Sequence, residues 1–236
     1  MLSLITPNLN NAKYLEENIL SIKSLSIPFE HIIVDGGSTD GSLELISKYP
    51  HIKLLKQTEK TGMYGAIHQG FIESSGKYIG WVNADDRIIK EGFEKMYQEI
   101  SKNNCNFIYS DGKYNFIKEN RQESVKGKHF GKFFLRHGLM PFLQPSSIYS
   151  KDLYNEVGGL RFDKFKICGD LDLFLRMAKS KKSIFKYLKT NSIIFTKRGD
   201  SLGDLNNDLY LKEIKNNNIP TPSLLIRVLF FIFKFI

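Results

Sequence analysis

The chain has 236 residues, 42% of them hydrophobic and 25% charged, which is ordinary for a folded globular protein that buries one core. Its 34 lysines and arginines outnumber 25 aspartates and glutamates, so the net charge of +9 favours anionic partners such as nucleic acid, an acidic membrane or phosphorylated substrates. The chain has only two cysteines, which excludes a disulfide scaffold, and no apolar run of ~20 residues, which excludes a membrane-spanning helix. With no secretory signal either, the sequence predicts a reducing, cytoplasmic location.

Residues 1–111 alternate between short β-rich runs and stretches with helical periodicity. This alternation predicts βαβ units and therefore an α/β fold with a Rossmann-like, mainly parallel central sheet flanked by helices. The predicted strands are 2–6, 31–34, 52–56, 78–82 and 107–110, and the predicted helices are 12–25, 42–48, 63–74 and 90–101.

The pattern is less regular from residue 112 to residue 203, which we interpret as the second half of the same domain. Residues 113–128 predict a hairpin or a mobile loop, and residues 179–198 carry seven basic side chains and no acidic one. Because no array of aromatic residues accompanies these charges, they favour phosphate or anionic lipid over nucleic acid. Helices are predicted at 130–137 and 169–178, and strands at 145–149 and 184–196.

Residues 204–236 predict a helical tail that ends in an apolar segment, 224–236. This segment has four phenylalanines and only two charges, Arg227 and Lys234. Such a helix either lies in a membrane interface, with both cations reaching lipid phosphates, or packs on the core. Apolar residues on nearly every side of the helix favour the peripheral membrane contact, and pairing of two copies into a homodimer is a further alternative.

Two acidic clusters lie far apart in the sequence. Asn83-Ala84-Asp85-Asp86 follows the strand predicted at 78–82, and open α/β sheets place ligand sites at the carboxyl ends of strands. The adjacent carboxylates suit a hard divalent cation, Mg²⁺ or Mn²⁺, or else form a solvated turn.

The second acidic cluster contains Asp170 and Asp172. Asp170 either serves as a general base or caps the helix predicted at 169–178, with Asp172 as a surface charge. Asp35, at the end of the strand predicted at 31–34, precedes a glycine-rich turn and can bind a base or ribose, although helix capping at Thr39 or Asp40 explains this turn nearly as well.

The order of several segments across roughly residues 1–200 resembles the family 2 glycosyltransferases with the GT-A fold. The matching segments are Thr6-Pro7-Asn8, Val34-Asp35-Gly36-Gly37-Ser38-Thr39-Asp40-Gly41, 62–70, 75–79, 83–86, Gln144-Pro145-Ser146-Ser147, 157–160 and 169–176.

This resemblance implies a role for each matching residue. Asp86 matches the direct metal ligand, Asp85 a residue that contacts ribose or metal-bound water, and Asp170 the catalytic base of inverting members. The nucleotide-sugar side comprises Thr6, Pro7, Asn8, Asp35, Asn83, Ala84 and Asp85. The acceptor or diphosphate side comprises His137, Gln144 and Arg198, with an ordinary surface histidine as the alternative for His137.

Three departures from the family pattern affect these expectations. Gly36 stands where many relatives have aspartate, and Gly169 stands where many have glutamate, so support for Asp170 must come from elsewhere. The Gln-x-x-Arg-Trp signature of processive members is absent, which favours transfer of a single sugar.

The resemblance implies an inverting, metal-dependent transferase that moves one sugar from a nucleotide diphosphate donor, preferably UDP-linked, to a hydroxyl acceptor. The basic surface and apolar tail add the expectation of a lipid-linked saccharide acceptor at the cytoplasmic membrane face, as in surface-polysaccharide assembly. Two alternatives stay open. One is a sugar-phosphate nucleotidyltransferase, for which residues 6–13 offer only a weak glycine-rich loop, and the other is a non-catalytic, membrane-tethered protein that binds nucleotide-sugars.

Overall fold

The structure is a computed structural model that describes residues 1–59, 61–199 and 206–232. Strands and helices alternate through the first hundred residues, as predicted. The strands are β1 Leu2–Asn8, β2 Phe29–Asp35, β3 Ile52–Lys56, β4 Tyr78–Trp81, β5 Arg87–Ile88, β6 Phe107–Phe116, β7 Arg121–Val125, β8 Ser147–Ser150 and β9 Phe185–Lys197. The helices are α1 Ala12–Lys23, α2 Ser42–Ile46, α3 Gly62–Ile72, α4 Lys90–Ser101, α5 Gly131–Arg136, α6 Lys151–Glu156, α7 Gly169–Lys179, α8 Asn207–Asn216 and α9 Leu224–Ile232, with a 3-10 turn at Gln144–Ser146.

The described strands form one sheet in the order β3-β2-β1-β4-β8-β6-β9-β5, with β7 added beside β6. Strands β3, β2, β1 and β4 are mutually parallel, so their carboxyl ends meet at one side of the sheet, here called the carboxyl edge. The register places Asn8 directly opposite Asp35 at this edge. The predicted parallel, Rossmann-like half is therefore confirmed.

The rest of the sheet is mixed. Strand β8 is antiparallel to β4 and β6, whereas β9 is parallel to β6 and antiparallel to β5. The segment 113–128 forms the β6–β7 hairpin, one of its two predicted alternatives. The predicted division of the domain after residue 111 falls inside β6, because that strand continues to Phe116.

Helix α7 packs against the sheet through aromatic contacts. The rings of Trp81, at the end of β4, and Phe174, on α7, stack with centroids 5.8 Å apart. Phe174 also meets the ring of Phe107 on β6 edge to face, at 5.3 Å. The apolar residues of α7 are buried around most of the helix, so α7 is enclosed by the core and not laid on it along a single stripe; they are Leu171, Leu173, Phe174, Leu175, Met177 and Ala178. The middle of this helix therefore packs on the strand that leads into the Asn-Ala-Asp-Asp segment.

The two helices of the tail differ in their contacts. Helix α8 buries Glu213 and Ile214 against the domain, and Ile219 after it joins the same core. Helix α9 has no buried residue, although its Phe230 ring meets Phe134 of α5 at 5.0 Å. Among the described residues, no helix combines the length and apolar character needed to cross a bilayer.

Candidate active site

A network of hydrogen bonds joins the ends of β1 and β2 at the carboxyl edge. The Asn8 side-chain amide donates to Asp35 Oδ2 at 2.7 Å, and the Ser38 hydroxyl donates to the same oxygen at 2.6 Å. Asp35 Oδ1 accepts the backbone N–H groups of Gly37 and Ser38 at 2.9 and 2.8 Å. Burial alone would raise the pKa of Asp35, but these bonds outweigh it and hold the pKa below its ordinary value.

The same network fixes the orientation of Asn8. Because the Asp35 carboxylate only accepts, the amide nitrogen of Asn8 must face it, and Asn8 Oδ1 then has no hydrogen-bond partner although it is buried. A buried acceptor without a partner is uncommon. At the end of a parallel strand it is suited to an N–H donor of a ligand.

Thr6 and Pro7, both predicted on the nucleotide side, are buried within β1. The Thr6 hydroxyl contacts His31 Nε2 at 3.0 Å and Asn18 Oδ1 at 3.3 Å, so it faces the protein interior. A contact between Thr6 and a nucleotide would therefore have to come from its backbone. Ala84 is buried beside Leu15 and contributes packing to the loop after β4.

Asp86 lies inside the protein, with 1% of its surface exposed. Its Oδ1 accepts the backbone N–H of Thr196 on β9 at 2.8 Å, and its Oδ2 accepts the side-chain amide of Asn83 at 3.3 Å. Burial raises the pKa of Asp86 well above its usual range, and the neighbouring Asp85 carboxylate adds to the rise. The loop after β4 and strand β9 therefore enclose the Asp86 carboxyl together.

Asp85 is more accessible than Asp86 and faces the end of β9. Its Oδ2 lies 3.3 Å from Arg198 Nε, and its backbone carbonyl accepts the Thr196 hydroxyl at 2.5 Å. Arg198 also donates to Asn11 Oδ1 at 3.2 Å, and its guanidinium lies over the Tyr14 ring at 5.3 Å. The structure therefore brings Arg198, predicted beside the diphosphate, to the loop of residues 83–86, here called the acidic loop.

The acidic loop has a donor set that fits a hard cation. The carboxylates of Asp85 and Asp86 are adjacent, and their negative charges repel each other. Asn83 Oδ1, a buried oxygen with no hydrogen-bond partner, is a third oxygen on the same loop. Within the described ranges no group of three or more His, Cys, Asp or Glu side chains is placed to hold a metal. A cation here would therefore take further ligands from a diphosphate and water, and Asp85 is the more accessible of the two carboxylates.

Asp170 begins the first turn of α7. Its Oδ1 accepts the backbone N–H of Leu171 at 2.8 Å and lies 3.2 Å from the hydroxyl of Tyr64, on α3. The residue keeps some exposure, but its carboxyl group lies deep enough among protein atoms that burial raises its pKa to about 6. Such a carboxyl is ionised at neutral pH and is basic enough to accept a proton.

Asp172, which the helix-capping alternative treated as a surface charge, is buried and paired with Arg176, whose nitrogens lie 2.9 and 2.7 Å from Asp172 Oδ2. The arginine also donates to the backbone carbonyls of Val157 and Gly159. This ion pair joins α7 to the preceding loop. Of the two acids in this cluster, Asp172 is therefore occupied by its ion pair, and Asp170 is the one that contacts Tyr64 of α3.

Two contacts bring Asp170 and the acidic loop to the same edge of the sheet. Tyr64, which touches Asp170, lies in the first turn of α3, and α3 follows the carboxyl end of β3. Gln144, predicted on the acceptor side, donates to the Trp81 carbonyl at 3.2 Å, and Trp81 itself stacks on α7. The start of α7 and the loop after β4 therefore share the carboxyl edge.

His137 is placed differently. It directly follows α5, its Nδ1 pairs with the Phe133 carbonyl at 2.9 Å, and its ring packs on the Phe133 ring at 4.4 Å. These contacts hold the histidine against its own helix, in agreement with its structural alternative. A role at the acceptor stays a prediction.

Several residues of the site were not found from the sequence. Asn18 on α1 donates to the carbonyls of Asn83 and Asp86, both at 2.9 Å, and so shapes the acidic loop from below. Thr196 holds the same loop from β9. Neither carries a local motif, because only the tertiary fold brings it to the loop. Tyr64 lay within a matching segment, 62–70, but nothing in that segment marks its contact with Asp170.

Residues 3–158 match the family described as Glycosyl transferase family 2, and the chain belongs to this family. It is 28% identical over 188 residues to the glycosyltransferase GlyG of Streptococcus pneumoniae, and this alignment covers 69% of this chain and 62% of GlyG. It is 29% identical over 115 residues to the putative teichuronic acid biosynthesis glycosyltransferase TuaG of Bacillus subtilis, and this alignment covers 47% of this chain and 46% of TuaG. The chain thus spans less than two thirds of these relatives.

Solved structures of glycosyltransferases share the fold. S. aureus TarS 1-349 in complex with UDP-GlcNAc superposes with a TM-score of 0.69 at 20% identity, covering 91% of this chain and 66% of that one. Mannosyltransferase PcManGT from Pyrobaculum calidifontis, in complex with GDP-Man and Mn²⁺, gives a TM-score of 0.65 at 14% identity, covering 95% and 66%. The predicted GT-A fold is therefore confirmed.

Proposed function

We propose that this protein transfers a single sugar from a UDP-sugar to a hydroxyl acceptor with inversion, and that the acceptor is a lipid-linked saccharide of surface-polysaccharide synthesis. The observation that carries this proposal is the position of Asp170. A carboxyl with a pKa of about 6 begins a helix that packs on β4, the strand that leads into Asp85 and Asp86. A proton acceptor and a pair of acidic ligands then serve opposite ends of one displacement.

In the proposed reaction, the acceptor hydroxyl attacks the anomeric carbon from the face opposite the diphosphate. The bond from that carbon to the phosphate oxygen breaks, and the nucleoside diphosphate leaves with the electron pair. Asp170 takes the proton of the attacking hydroxyl, so the carboxylate becomes a carboxylic acid as the new glycosidic bond forms. A single displacement of this kind inverts the anomeric configuration.

The leaving diphosphate is assigned to the acidic loop and Arg198. A bound Mg²⁺ or Mn²⁺ would supply positive charge to the leaving group, and Asp85 would be its accessible ligand, with Asp86 enclosed behind it. This order differs from the sequence prediction, which placed Asp86 in direct contact. Arg198 would exchange its ion pair with Asp85 for one with the diphosphate. The Mn²⁺ in the PcManGT complex supports a divalent ion.

The nucleotide is assigned to the ends of β1 and β2. Asn8 Oδ1 offers an acceptor that the imide N–H of uracil would satisfy, while Asp35 holds the asparagine in place. The TarS complex with UDP-GlcNAc supports a UDP-sugar donor, and the name of TuaG supports a polysaccharide product.

The test is a panel of nucleotide-sugars with purified protein and Mn²⁺ or Mg²⁺. Donors would be ranked by thermal shift and then incubated with prenyl-diphosphate-linked saccharides and with free saccharides as controls. We expect one UDP-sugar to give a glycosylated lipid and UDP. Release of pyrophosphate from a nucleoside triphosphate and a sugar phosphate would instead indicate nucleotidyl transfer. Donor binding without turnover across the panel would indicate a binding protein.

We further propose that α9 contacts an anionic membrane surface from the cytoplasmic side. Leu224, Leu225 and Phe231 of this helix are exposed by 78%, 68% and 61%. The same helix carries an exposed cation beside these apolar side chains, Arg227, whose Nε donates to the Pro222 carbonyl at 3.2 Å. Apolar side chains bordered by cations suit a bilayer with acidic headgroups.

Flotation with phosphatidylglycerol and phosphatidylcholine vesicles tests this contact. We expect the wild type to float with the anionic vesicles, and Leu225→Asp combined with Phe231→Asp to remain in solution. Leu20→Asp, at an exposed site on α1, is the control. Unchanged flotation of the double variant would contradict the membrane proposal, and a dimer that the double variant disrupts in vesicle-free solution would assign α9 to self-association instead.

A further inference from the structure

We propose that Glu213 of the C-terminal helix α8 and Tyr64 of α3 are positioning residues for Asp170, supplying the support that Gly169 does not. The proposal rests on the proposed function, because it takes Asp170 as the base. It assigns part of the tail that lies beyond the matched residues 3–158 to the catalytic machinery.

Glu213 is held against the chain that leads into α7. Its Oε1 accepts the backbone N–H of Lys166 at 2.7 Å, and its Oε2 accepts those of Ile167 and Cys168 at 3.1 and 2.9 Å. Only 6% of Glu213 is exposed. One carboxylate therefore binds three successive amides that end two residues before Asp170. Charge-assisted bonds of this kind are the strong ones, so the start of α7 is fixed by α8.

Tyr64 contacts the same turn from α3. Its hydroxyl shares one hydrogen between two acceptors, the Ile167 carbonyl at 2.7 Å and, more weakly, Asp170 Oδ1 at 3.2 Å. A Cβ atom added to Gly169 would lie 2.7 Å from Cε2 of the Tyr64 ring, so the ring occupies the space of a side chain at position 169. The glycine and the tyrosine thus fit each other, and a glutamate at 169 would displace the ring.

The electrostatic effects of the two residues on Asp170 have opposite signs. The titratable groups that face Asp170 are Tyr64 from α3, Cys168 ahead of α7, and Tyr210 and Glu213 from α8. Burial raises the pKa values of the two tyrosines and the cysteine, which stay neutral at pH 7. The Glu213 carboxylate raises the pKa of Asp170, whereas the hydrogen bond from Tyr64 lowers it.

The test is the pH dependence of kcat/KM for Glu213→Gln and Tyr64→Phe. Because the glutamine removes a negative charge, we expect the acidic limb to move to lower pH. Because the phenylalanine removes a hydrogen bond to the ionised carboxyl, we expect that limb to move to higher pH. We expect kcat to fall roughly 10- to 100-fold for Glu213→Gln, with the donor KM within about threefold of the wild type.

Asp208→Asn is the matched control, since it removes the same charge from an exposed position on α8. We expect it to leave the rate and the pH profile unchanged. If Glu213→Gln does not fold, Glu213→Asp keeps the charge with a shorter reach and is expected to lower kcat without moving the acidic limb. Folded variants with wild-type kcat and an unmoved limb would overturn the proposal. An active Asp170→Asn would overturn the proposed function instead, so the two failures are distinguishable.

Discussion

Asp35 and Asp170 are two carboxyl groups at one edge of a sheet whose pKa values move in opposite directions. Asp35 receives hydrogen bonds from Ser38, Asn8 and Gly37, and these hold its pKa below the ordinary value despite burial. Asp170 receives fewer, and burial raises its pKa to about 6. A carboxylate with a full set of donors is a fixed acceptor that orders its surroundings. A carboxyl with fewer donors keeps its proton to higher pH, which is the property that the proposed base requires.

The largest expected effect comes from Asp170→Asn. Because the amide cannot take the proton of the attacking hydroxyl, we expect kcat to fall on the order of 10³-fold. The dissociation constant of the donor should hardly change, since the nucleotide is assigned to β1 and β2. Rate and donor affinity would be measured on the same preparation. Asp163→Asn, an exposed site in the preceding loop, should behave as wild type. If the Asp170→Asn variant still transferred sugar at the wild-type rate, Asp170 would not be the base, and its contrast with Asp35 would carry no functional meaning.

Asp85→Asn is expected to have the next largest effect. Removing the accessible carboxylate of the acidic loop weakens the binding of a divalent cation there. The negative charge of the leaving diphosphate is then less stabilised. We expect a loss of roughly 100-fold in kcat/KM and weaker Mn²⁺ binding by calorimetry in the presence of UDP. EDTA should lower wild-type activity, and added Mn²⁺ or Mg²⁺ should restore it. Full activity of the variant in EDTA would exclude this assignment.

Asp35→Asn is expected to act on donor binding rather than on the chemical step. The amide group cannot accept all the bonds that the carboxylate accepts, so Asn8 loses its fixed orientation. We expect the donor KM to rise roughly tenfold with kcat nearly unchanged, and the free energy of unfolding to fall by about 1–3 kcal/mol. Kinetics and urea denaturation measure the two effects. A change in kcat alone would show that Asp35 has another role.

The last prediction concerns how the stability of one of these variants depends on pH, and it sharpens the comparison of Asp35 with Asp170. A folded-state pKa of about 6 means that the protonated carboxyl of Asp170 favours folding below its unfolded pKa near 4, and that this contribution is lost as the pH rises through 6. Asp170→Asn should therefore be more stable than wild type at pH 8, by about 3 kcal/mol, and no more stable at pH 4. Thermal melting at both pH values measures the difference, and an equal gain at both would contradict the assigned pKa.

The same substitution is thus expected to destabilise the protein at position 35 and to stabilise it at position 170. This contrast separates a carboxyl group whose ionised form is stabilised by hydrogen bonds from one whose ionised form is disfavoured by burial. It needs no knowledge of the sugar or the acceptor, so it can be measured before either is identified.

The sequence by itself determined the parallel half of the sheet and the placement of Asn8, Asp35 and Asp85 near strand ends. Local periodicity is sufficient there, because each strand and helix is adjacent in sequence to its partner in a βαβ unit. The sequence yielded no prediction for α6 or for β5, which has only two residues and therefore leaves no periodic signal.

Only the tertiary structure decided which groups surround the acids. Thr196 reaches Asp86 across 110 positions of the sequence, Tyr64 reaches Asp170 across 106, and Glu213 meets Cys168 across 45. These contacts determine which carboxyl is buried, which is accessible and which has a raised pKa. Sequence spacing carries no information on them, because the desolvation and hydrogen bonding of a carboxyl depend on neighbours that folding supplies.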